Sequence, residues 1–501
     1  MDENNQLEKP FMSEESSISK QRLIALVLGP MAMLFLLMLS VPEGFTPEAW
    51  KLVALAAWMI IWWMTEAVPI PVTALLPIPM MPLLAIAPQK TVAASYGHPL
   101  IFLFLGGFMI AAAMQRWGLH RRIALRIVKA VGTSPEGIIG GFMVATALLS
   151  MWISNTATTI MMFAVGISII EFVNNHINSP AQSRKFGVAL MLGIAYSASI
   201  GGIGTLIGTP PNILLASFLS DNHGISIDFG TWMLMGVPLV IIMLPVAWFM
   251  LCKVIFPVKG IKLGEAGALI DQELEQLGEM SKGERIVLIV FVTTAIFWMT
   301  RQWIVSITGL EITDTSIALI AAILLFALPV SIERGHFTVE WDAAKNISWG
   351  VLILFGGGLA LAGAFKSSGL AATIGNTVAS MQGVEISMII LATIAAIIFL
   401  TEITSNTATT ATFLPILGAV AVGLDTSPML LTIPAALAAS MAFMMPVATP
   451  PNAIVFSYEE MRIQDMIRAG IWLNIISIGL IYMAMLFLAP MVFSSILSNA
   501  H

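Results

Sequence analysis

The stretch Ser154-Asn155-Thr156-Ala157-Thr158-Thr159 recurs 251 positions later as Ser405-Asn406-Thr407-Ala408-Thr409-Thr410. A second stretch, Thr209-Pro210-Pro211-Asn212, recurs 240 positions later as Thr449-Pro450-Pro451-Asn452. Two shorter pairs keep the offset of 251: Gly106-Gly107 with Gly357-Gly358, and Gly118-Leu119 with Gly369-Leu370. Similarity at a fixed offset predicts that the chain is built from two related halves.

The composition limits the classes of protein that this sequence can form. Hydrophobic residues make up 58% of the 501 positions and charged residues 10%, with a mean hydropathy of +0.91. Soluble domains carry about 25% charged residues, so a soluble enzyme is excluded. A net charge of −6 and a single cysteine, Cys252, also exclude a nucleic-acid-binding protein and a disulfide scaffold. The composition predicts an all-α polytopic membrane protein.

Uncharged stretches that can cross a bilayer, which takes about 20 residues, occur eleven times in the chain. Two further uncharged stretches, 137–170 and 403–424, do not fit as simple crossings. We expect both to form re-entrant hairpins, because irregular backbone is tolerated at membrane depth when protein or water surrounds it. The eleven predicted transmembrane helices cover residues 23–41, 48–66, 69–87, 99–116, 186–220, 229–252, 286–306, 314–331, 346–365, 426–458 and 469–497.

Basic residues predict the orientation of these spans. With the N-terminus in the cytoplasm, 19 of the 23 Lys and Arg residues fall in cytoplasmic segments, as the positive-inside rule requires. The chain is therefore predicted to be N-in/C-out. Its predicted parts are a cytoplasmic tail (1–22), a first span with an external loop (23–47), a first repeat (48–257) with a hairpin at about 134–175, a cytoplasmic linker (258–285), and a second repeat (286–501) with a hairpin at about 385–424.

The two Thr-Pro-Pro-Asn motifs lie inside the long stretches 186–220 and 426–458. Consecutive prolines remove two backbone donors and push the preceding residue out of the helical region. Both stretches are therefore predicted to be helices that unwind halfway along their length.

The two repeats predict a mechanism class. Each contains five spans and one hairpin, and because five is odd the second repeat is inverted relative to the first. Inverted repeats are typical of secondary transporters, which bind substrate near the midplane at broken helices. Helix N-termini at a hairpin tip attract carboxylates. No Lys, Arg or His lies in the four motifs, so a divalent anion needs cations bound beside it. The motifs predict cation-coupled anion transport.

The chain resembles the divalent anion:sodium symporter family over nearly all of its length after residue 22. The paired Ser-Asn-Thr motifs carry the resemblance, with Ala439–Val455, which is similar to the family's C-terminal signature, and Thr65–Pro69, which is similar to the end of its second span. The resemblance implies a homodimer of 11-span subunits in the bacterial inner membrane that works by an elevator motion. It implies that the substrate-binding residues are Ser154, Asn155, Thr156, Ser405, Asn406 and Thr407, with Thr209, Pro210, Thr449 and Pro450 lining the site.

The same resemblance implies two sodium sites, one in each half. The first would be formed by Ser150, Ser154, Asn155 and the Gly208 carbonyl, and the second by Thr401, Ser405, Asn406 and the Ala448 carbonyl. The internal repeat supports these two sites, because Ser150 and Thr401 occupy equivalent positions in the two halves, and so do Gly208 and Ala448. Sodium is the expected coupling ion, with no other cofactor and no catalytic residues.

The expected function is sodium-coupled uptake of four-carbon dicarboxylates such as succinate, malate or fumarate. Three alternatives stay open: a sodium-independent exchanger of the tartrate/succinate or citrate/succinate type, a sulfate carrier and, from another class, an anion channel. The expected partners are the dicarboxylate, sodium, the lipid bilayer and a second subunit, without nucleic acid. Glu402 has an apolar repeat mate, Met151, and is expected to have a structural hydrogen-bonding role.

Overall fold

A computed structural model describes residues 20–132, 134–176, 179–258, 266–379 and 385–494. Most of the predicted tail 1–22, part of the predicted linker 258–285 and the last residues of the second repeat lie outside the described residues. Within the described part, eight helices are long and apolar enough to cross a membrane, and six shorter helices are also apolar. The chain is a mostly helical, polytopic membrane protein. The number of crossings and their orientation stay predictions.

Within the predicted spans of the first half, the clearest difference lies in the third span. The predicted crossing 69–87 is divided into two short helices, because the prolines at positions 71, 77, 79 and 82 interrupt a regular backbone hydrogen-bond pattern. The first-half helices are Lys20–Met38, Pro47–Thr65, Ile70–Thr73, Pro77–Leu83, Gln89–Ala94, Pro99–Arg116, Leu119–Val131, Pro135–Ser150, Asn155–His176, Pro180–Gly202, Pro210–His223 and Phe229–Phe249, with a 3₁₀ turn at Ser95–Gly97 and a π-helical turn at Met250–Ile255.

The second half contains a small element that the all-α prediction missed. Two short antiparallel strands, Pro329–Ser331 and His336–Phe337, pair with each other after helix Asp314–Ala327. The helices from the linker onward are Ala266–Gln276, Lys282–Thr308, Asp314–Ala327, Trp341–Lys345, Trp349–Ser367, Leu370–Ala379, Ile386–Thr401, Asn406–Gly423, Met429–Ala439, Pro450–Phe456, Ile463–Met483 and Ala489–Val492, with a π-helical turn at Ala484–Leu488.

The centre of the fold is helix Pro180–Gly202, whose apolar window is 94% buried. It packs against both helices of the first hairpin, Pro135–Ser150 and Asn155–His176. It also packs against helix Pro450–Phe456 of the second half. The two halves therefore meet where the repeated motifs lie, rather than forming separate domains side by side.

Two amphipathic helices, Leu119–Val131 and Leu370–Ala379, precede the hairpins and were not predicted as separate elements. The first is held by a buried ion pair, in which Arg122 Nε lies 2.8 Å from Glu284 Oε1. Arg122 also donates to the Gly278 carbonyl at 2.8 Å. Removing one partner would leave the other charge buried and unpaired, at a cost of about 3–5 kcal/mol, so the helix stays paired with the start of helix Lys282–Thr308.

Exposed positions on two loops allow the predicted orientation to be tested. In a Cys252→Ala background, a cysteine at Ser226 should react with a membrane-impermeant maleimide in intact cells, because the loop after helix Pro210–His223 is predicted to be external. A cysteine at Glu279 should react only after the cells are permeabilised. Both side chains are exposed in the structure. Labelling of both positions in intact cells would show that the orientation is wrong.

Candidate functional site

Each Ser-Asn-Thr motif lies at the tip of a hairpin, between two helices. In the first hairpin, the four residues 151–154 separate the end of helix Pro135–Ser150 from the start of helix Asn155–His176. The second hairpin repeats this arrangement, since the four residues 402–405 separate helix Ile386–Thr401 from helix Asn406–Gly423. The asparagine of each motif is therefore the first residue of a helix, where backbone N–H groups are free of helical partners.

Each motif asparagine is bonded to a hydroxyl from the preceding helix. The Ser150 hydroxyl donates to Asn155 Oδ1. The Thr401 hydroxyl lies 2.7 Å from Asn406 Oδ1 and 3.0 Å from the Ala439 carbonyl oxygen, so its single proton is shared between two acceptors. Both hydroxyl side chains are fully buried. Each half therefore gathers buried hydroxyl and amide oxygens at its hairpin tip, which are ligands that suit a hard cation.

Both Thr-Pro-Pro-Asn motifs follow a break in a helix. The first break, residues 203–209, lies between helices Pro180–Gly202 and Pro210–His223, and the second break, residues 440–449, lies between Met429–Ala439 and Pro450–Phe456. The prediction of helices that unwind halfway is confirmed. In both motifs the threonine is extended and the prolines occupy the first helical turn, where a missing N–H costs nothing.

The asparagine of each Thr-Pro-Pro-Asn motif stabilises its break by donating hydrogen bonds to two backbone carbonyls. The Asn212 amide donates to the carbonyls of Gly202 at 3.1 Å and Thr205 at 2.7 Å. The Asn452 amide donates to the carbonyls of Ala442 at 3.1 Å and Met445 at 3.0 Å. The sequence analysis assigned no role to these asparagines, although their repetition was a signal that both halves need the same side chain.

Glycine in the first break allows a close approach to the motif asparagine. A Cβ atom on Gly202 would lie 2.9 Å from Asn155 Oδ1, which is closer than real Cβ contacts. Gly202 corresponds to Ala442 in the second half, at the offset of 240. The first half therefore places backbone directly against its asparagine, and a side chain at position 202 would displace Asn155.

Glu402 holds the second break in place. Its carboxylate accepts hydrogen bonds from the backbone N–H groups of Phe443 at 2.7 Å, Met444 at 2.9 Å and Met445 at 3.0 Å. The Asn474 amide donates to the same carboxylate at 2.7 Å. Glu402 is 3% exposed, so the expected structural hydrogen-bonding role is confirmed. The sequence could not reveal its partners, which lie on two distant elements.

One cavity, with a volume of about 690 Å³, is lined by all ten predicted substrate-binding residues and by Gly208 and Ala448. Ser150 and Thr401 are not among its lining residues and lie behind Asn155 and Asn406. The helices that start at Asn155, Asn406, Pro210 and Pro450 all begin at this cavity. Four positive ends of helix dipoles therefore converge on one space, which favours an anionic ligand.

Charged residues are scarce around the cavity. Among the described residues that line it, Glu66 is charged and none is Lys, Arg or His. The exposed polar residues that line it are Glu66, Gln115, Asn346 and Ser348, and the apolar Ile160 and Val447 are exposed lining residues as well. Helix dipoles, hydroxyls and amides are thus the groups available to an anion here.

Comparison with known proteins decides the family. The family described as "Sodium:sulfate symporter transmembrane region" matches residues 20–495. The chain belongs to this family. The family and the relatives described below are symporters and transporters, so the transporter class suggested by the resemblance is confirmed, and the chain is not an enzyme.

Relatives within the sodium:sulfate symporter family are similar over almost their whole length. The sodium-dependent dicarboxylate transporter SdcS of Staphylococcus saprophyticus is 42% identical, over 95% of this chain and 93% of that protein. SdcS of Staphylococcus aureus is 41% identical, over 97% of this chain and 93% of that protein. A crystal structure of the YdaH transporter of Alcanivorax borkumensis superposes with a TM-score of 0.57 at 13% identity, covering 79% of this chain and 87% of that one. That likeness concerns the fold alone.

Proposed function

We propose that this protein is a secondary active transporter that couples uptake of four-carbon dicarboxylates to sodium across the bacterial inner membrane. The observation that carries the proposal is the convergence of both Ser-Asn-Thr motifs and both Thr-Pro helix starts on one cavity. Relatives at 41–42% identity that are named sodium-dependent dicarboxylate transporters support the choice of substrate and coupling ion.

The substrate carboxylates bind between the two hairpin tips. Ser154, Asn155 and Thr156 contact one carboxylate, and Ser405, Asn406 and Thr407 contact the other, with Thr209, Pro210, Thr449 and Pro450 lining the space between them. A helix dipole is worth about 0.3–2 kcal/mol to a nearby charge. Four such dipoles do not offset the removal of two carboxylates from water. Bound sodium supplies the missing positive charge.

Two sodium ions bind beside the substrate, one in each half. The first is held by Ser150, Ser154, Asn155 and the Gly208 carbonyl, and the second by Thr401, Ser405, Asn406 and the Ala448 carbonyl. The hydroxyl–asparagine contacts at Ser150 and Thr401 support this assignment, because they bring oxygen atoms together at both tips. Asn155 and Asn406 line the cavity as well, so each can serve an ion and the substrate together.

Transport proceeds by an elevator motion in a homodimer. Both hairpins and both breaks surround the same cavity, so the proposed ligands of substrate and sodium can move as one body. The exposed lining residues Glu66, Gln115 and Asn346 lie at span ends that the predicted orientation places in the cytoplasm. The arrangement therefore corresponds to a cavity that is open to the cytoplasm.

Uptake into proteoliposomes with a panel of labelled anions, with and without a sodium gradient, tests the proposal. We expect sodium to drive accumulation of succinate, malate and fumarate, and potassium or choline not to replace it. Uptake that does not depend on sodium but requires dicarboxylate inside the proteoliposomes would show an exchanger. Uptake of sulfate in preference to dicarboxylates would show a sulfate carrier, and uptake without trans-stimulation would favour a channel.

The hydroxyls behind the motifs should control the dependence on sodium. Ser150→Ala and Thr401→Ala should each raise the sodium concentration for half-maximal uptake by about fivefold or more, because each removes a ligand of the ion. At saturating sodium, the dicarboxylate concentration for half-maximal uptake should change much less. By linkage, sodium should raise the affinity of the protein for dicarboxylate, and dicarboxylate should raise its affinity for sodium by the same factor.

Thr146→Val is the matched control for Ser150→Ala. It removes a buried hydroxyl of the same helix, which donates to the Phe142 carbonyl at 2.6 Å. If the control shifts the sodium dependence as much as Ser150→Ala does, the effect comes from helix packing and Ser150 is not a sodium ligand.

A further inference from the structure

Three helices that reach the cavity meet again at their other ends. Helix Pro99–Arg116 contributes Gln115 to the cavity lining, helix Trp349–Ser367 contributes Val351, and helix Pro210–His223 begins there at Pro210. A helix rises 1.5 Å per residue, so Asp221 and Lys366 lie roughly 15–25 Å along their helices from Pro210 and Val351, and His98 lies roughly 9 Å from the lining residue Phe104. The residues at those ends, His98, Asp221, Asn222 and Lys366, form what we term the far-end cluster.

The first contact of the far-end cluster joins His98 to Asp221. His98 Nε2 lies 2.9 Å from Asp221 Oδ1. His98 Nδ1 accepts a hydrogen bond from the backbone N–H of Leu100 at 3.2 Å, which caps helix Pro99–Arg116. Because Nδ1 is an acceptor, the proton of the neutral ring lies on Nε2 and is donated to Asp221. The side chains are 15% and 40% exposed, so water reaches this contact.

The second contact joins Lys366 to the end of the helix that carries Asp221. Lys366 Nζ donates to the Asn222 carbonyl at 2.8 Å. This carbonyl belongs to the last turn of helix Pro210–His223, where carbonyls lack helical partners and the helix dipole is negative. The ammonium group therefore satisfies an acceptor and binds at the end of the helix that favours a cation.

We infer that the far-end cluster is a latch that holds the cavity closed on the side opposite to its opening. The inference rests on the proposed transport cycle, in which helix Pro210–His223 moves with the substrate because Thr209 and Pro210 line the site. Helices Pro99–Arg116 and Trp349–Ser367 carry none of the proposed substrate or sodium ligands, and helix Pro99–Arg116 packs mainly on helix Asp314–Ala327, so we assign both to the part that does not move with the substrate. Opening the far side separates the two sets of helices, so both contacts must break in each cycle.

The strength of the latch suits repeated opening. Partly exposed ion pairs and hydrogen bonds stabilise weakly, because water replaces them when they separate. A buried ion pair such as Arg122–Glu284 would leave an unpaired charge on opening and would be costly to break. The latch thus biases the protein towards the closed far side without fixing it there.

Cysteine accessibility one helical turn inside the latch tests the inference without relying on transport. Ser217 on helix Pro210–His223 is 3% exposed, and in a Cys252→Ala background Ser217→Cys supplies one reporter thiol. The purified protein is placed in lipid nanodiscs, so that both faces are accessible, and its rate of reaction with a water-soluble maleimide is measured without substrate or sodium.

Four variants test whether the contacts of the latch, rather than a general effect on folding, control the labelling rate. His98→Asn keeps a side chain that caps helices well but cannot reach Asp221, and Lys366→Met keeps the apolar stem but loses the donor. Each should raise the labelling rate of the reporter about fivefold, because each removes one hydrogen bond that favours the closed state. Asp221→Asn retains an acceptor oxygen and should have a smaller effect. Lys90→Met, an exposed lysine outside the cluster, is the matched control and should leave the rate unchanged.

Equal labelling rates in wild type, His98→Asn and Lys366→Met would overturn the latch. So would an equal increase in the Lys90→Met control, because the increase would then not come from the cluster. If the proteoliposomes take up no dicarboxylate but the variants still label faster, the proposed function fails and the latch stands. If uptake is sodium-driven and labelling does not change, the latch alone fails.

Discussion

Asn155→Ala and Asn406→Ala should each reduce sodium-driven dicarboxylate uptake by at least about 100-fold while leaving a folded protein in the membrane. Each amide lies at a hairpin tip, where it is bonded to a buried hydroxyl and also lines the cavity. In the proposed site its loss removes a contact to sodium and a contact to the substrate. A hydrogen bond to a charged group is worth about 1.5–3 kcal/mol, so losing two accounts for the size of the effect.

The measurement is initial uptake into proteoliposomes that contain equal amounts of monodisperse protein. Asn346→Ala is the matched control, because Asn346 also lines the cavity but lies outside both motifs. Its uptake should stay within a few fold of wild type. Uptake at the wild-type rate by either motif variant would mean that the motifs only pack helices, and the proposed site would be wrong.

The second large effect is expected at Glu402 and concerns stability as well as transport. Glu402→Ala leaves three backbone N–H groups and the Asn474 amide without their acceptor in a buried place. Each unsatisfied buried donor costs about 1–3 kcal/mol, so the loss of one acceptor for four donors should destabilise the protein by about 4 kcal/mol or more. The melting temperature of the purified protein should fall strongly. Glu402→Gln keeps one acceptor oxygen, so its melting temperature should lie between those of Glu402→Ala and the wild type.

Sodium should stabilise the Glu402 variants against thermal unfolding less than it stabilises the wild type, because the second break carries the proposed Ala448 ligand. This is measured as the rise in melting temperature between sodium and choline buffers. Glu385→Gln, at an exposed glutamate that precedes the same hairpin helix, serves as the control. An unchanged melting temperature in Glu402→Ala would show that the carboxylate does not hold the second break.

Local sequence features predicted the parts of the fold that depend on neighbouring residues. The double prolines at 210–211 and 450–451 predicted the helix breaks, because proline cannot donate or continue the preceding helix. The length of the uncharged stretch 137–170 predicted two helices with a tip between them. The repeat of the Ser-Asn-Thr motif predicted which residues share a cavity, and the structure places all of them around one space.

The remaining parts depend on contacts between distant segments, to which a single sequence gives no access. The partners of Glu402 lie on the second break and on helix Ile463–Met483. Helix Leu119–Val131 is too short and too basic to count as a span, and its position depends on the Arg122–Glu284 pair. The far-end cluster likewise joins three segments, and none of its residues lies in a repeated motif.

Glu402 also has a consequence for the response to membrane potential. All four of its hydrogen-bond partners are donors, so they stabilise an ionised carboxylate. In the proposed cycle an ionised Glu402 carries one negative charge with the second break, whereas its mate in the first half, Met151, carries none. One elementary charge that crosses the full potential is worth about 2.3 kcal/mol per 100 mV. An inside-negative potential therefore favours the return of the empty site to the outer face. Two sodium ions balance the dicarboxylate, so the loaded site carries the same single negative charge, and the potential opposes its inward step by the same amount.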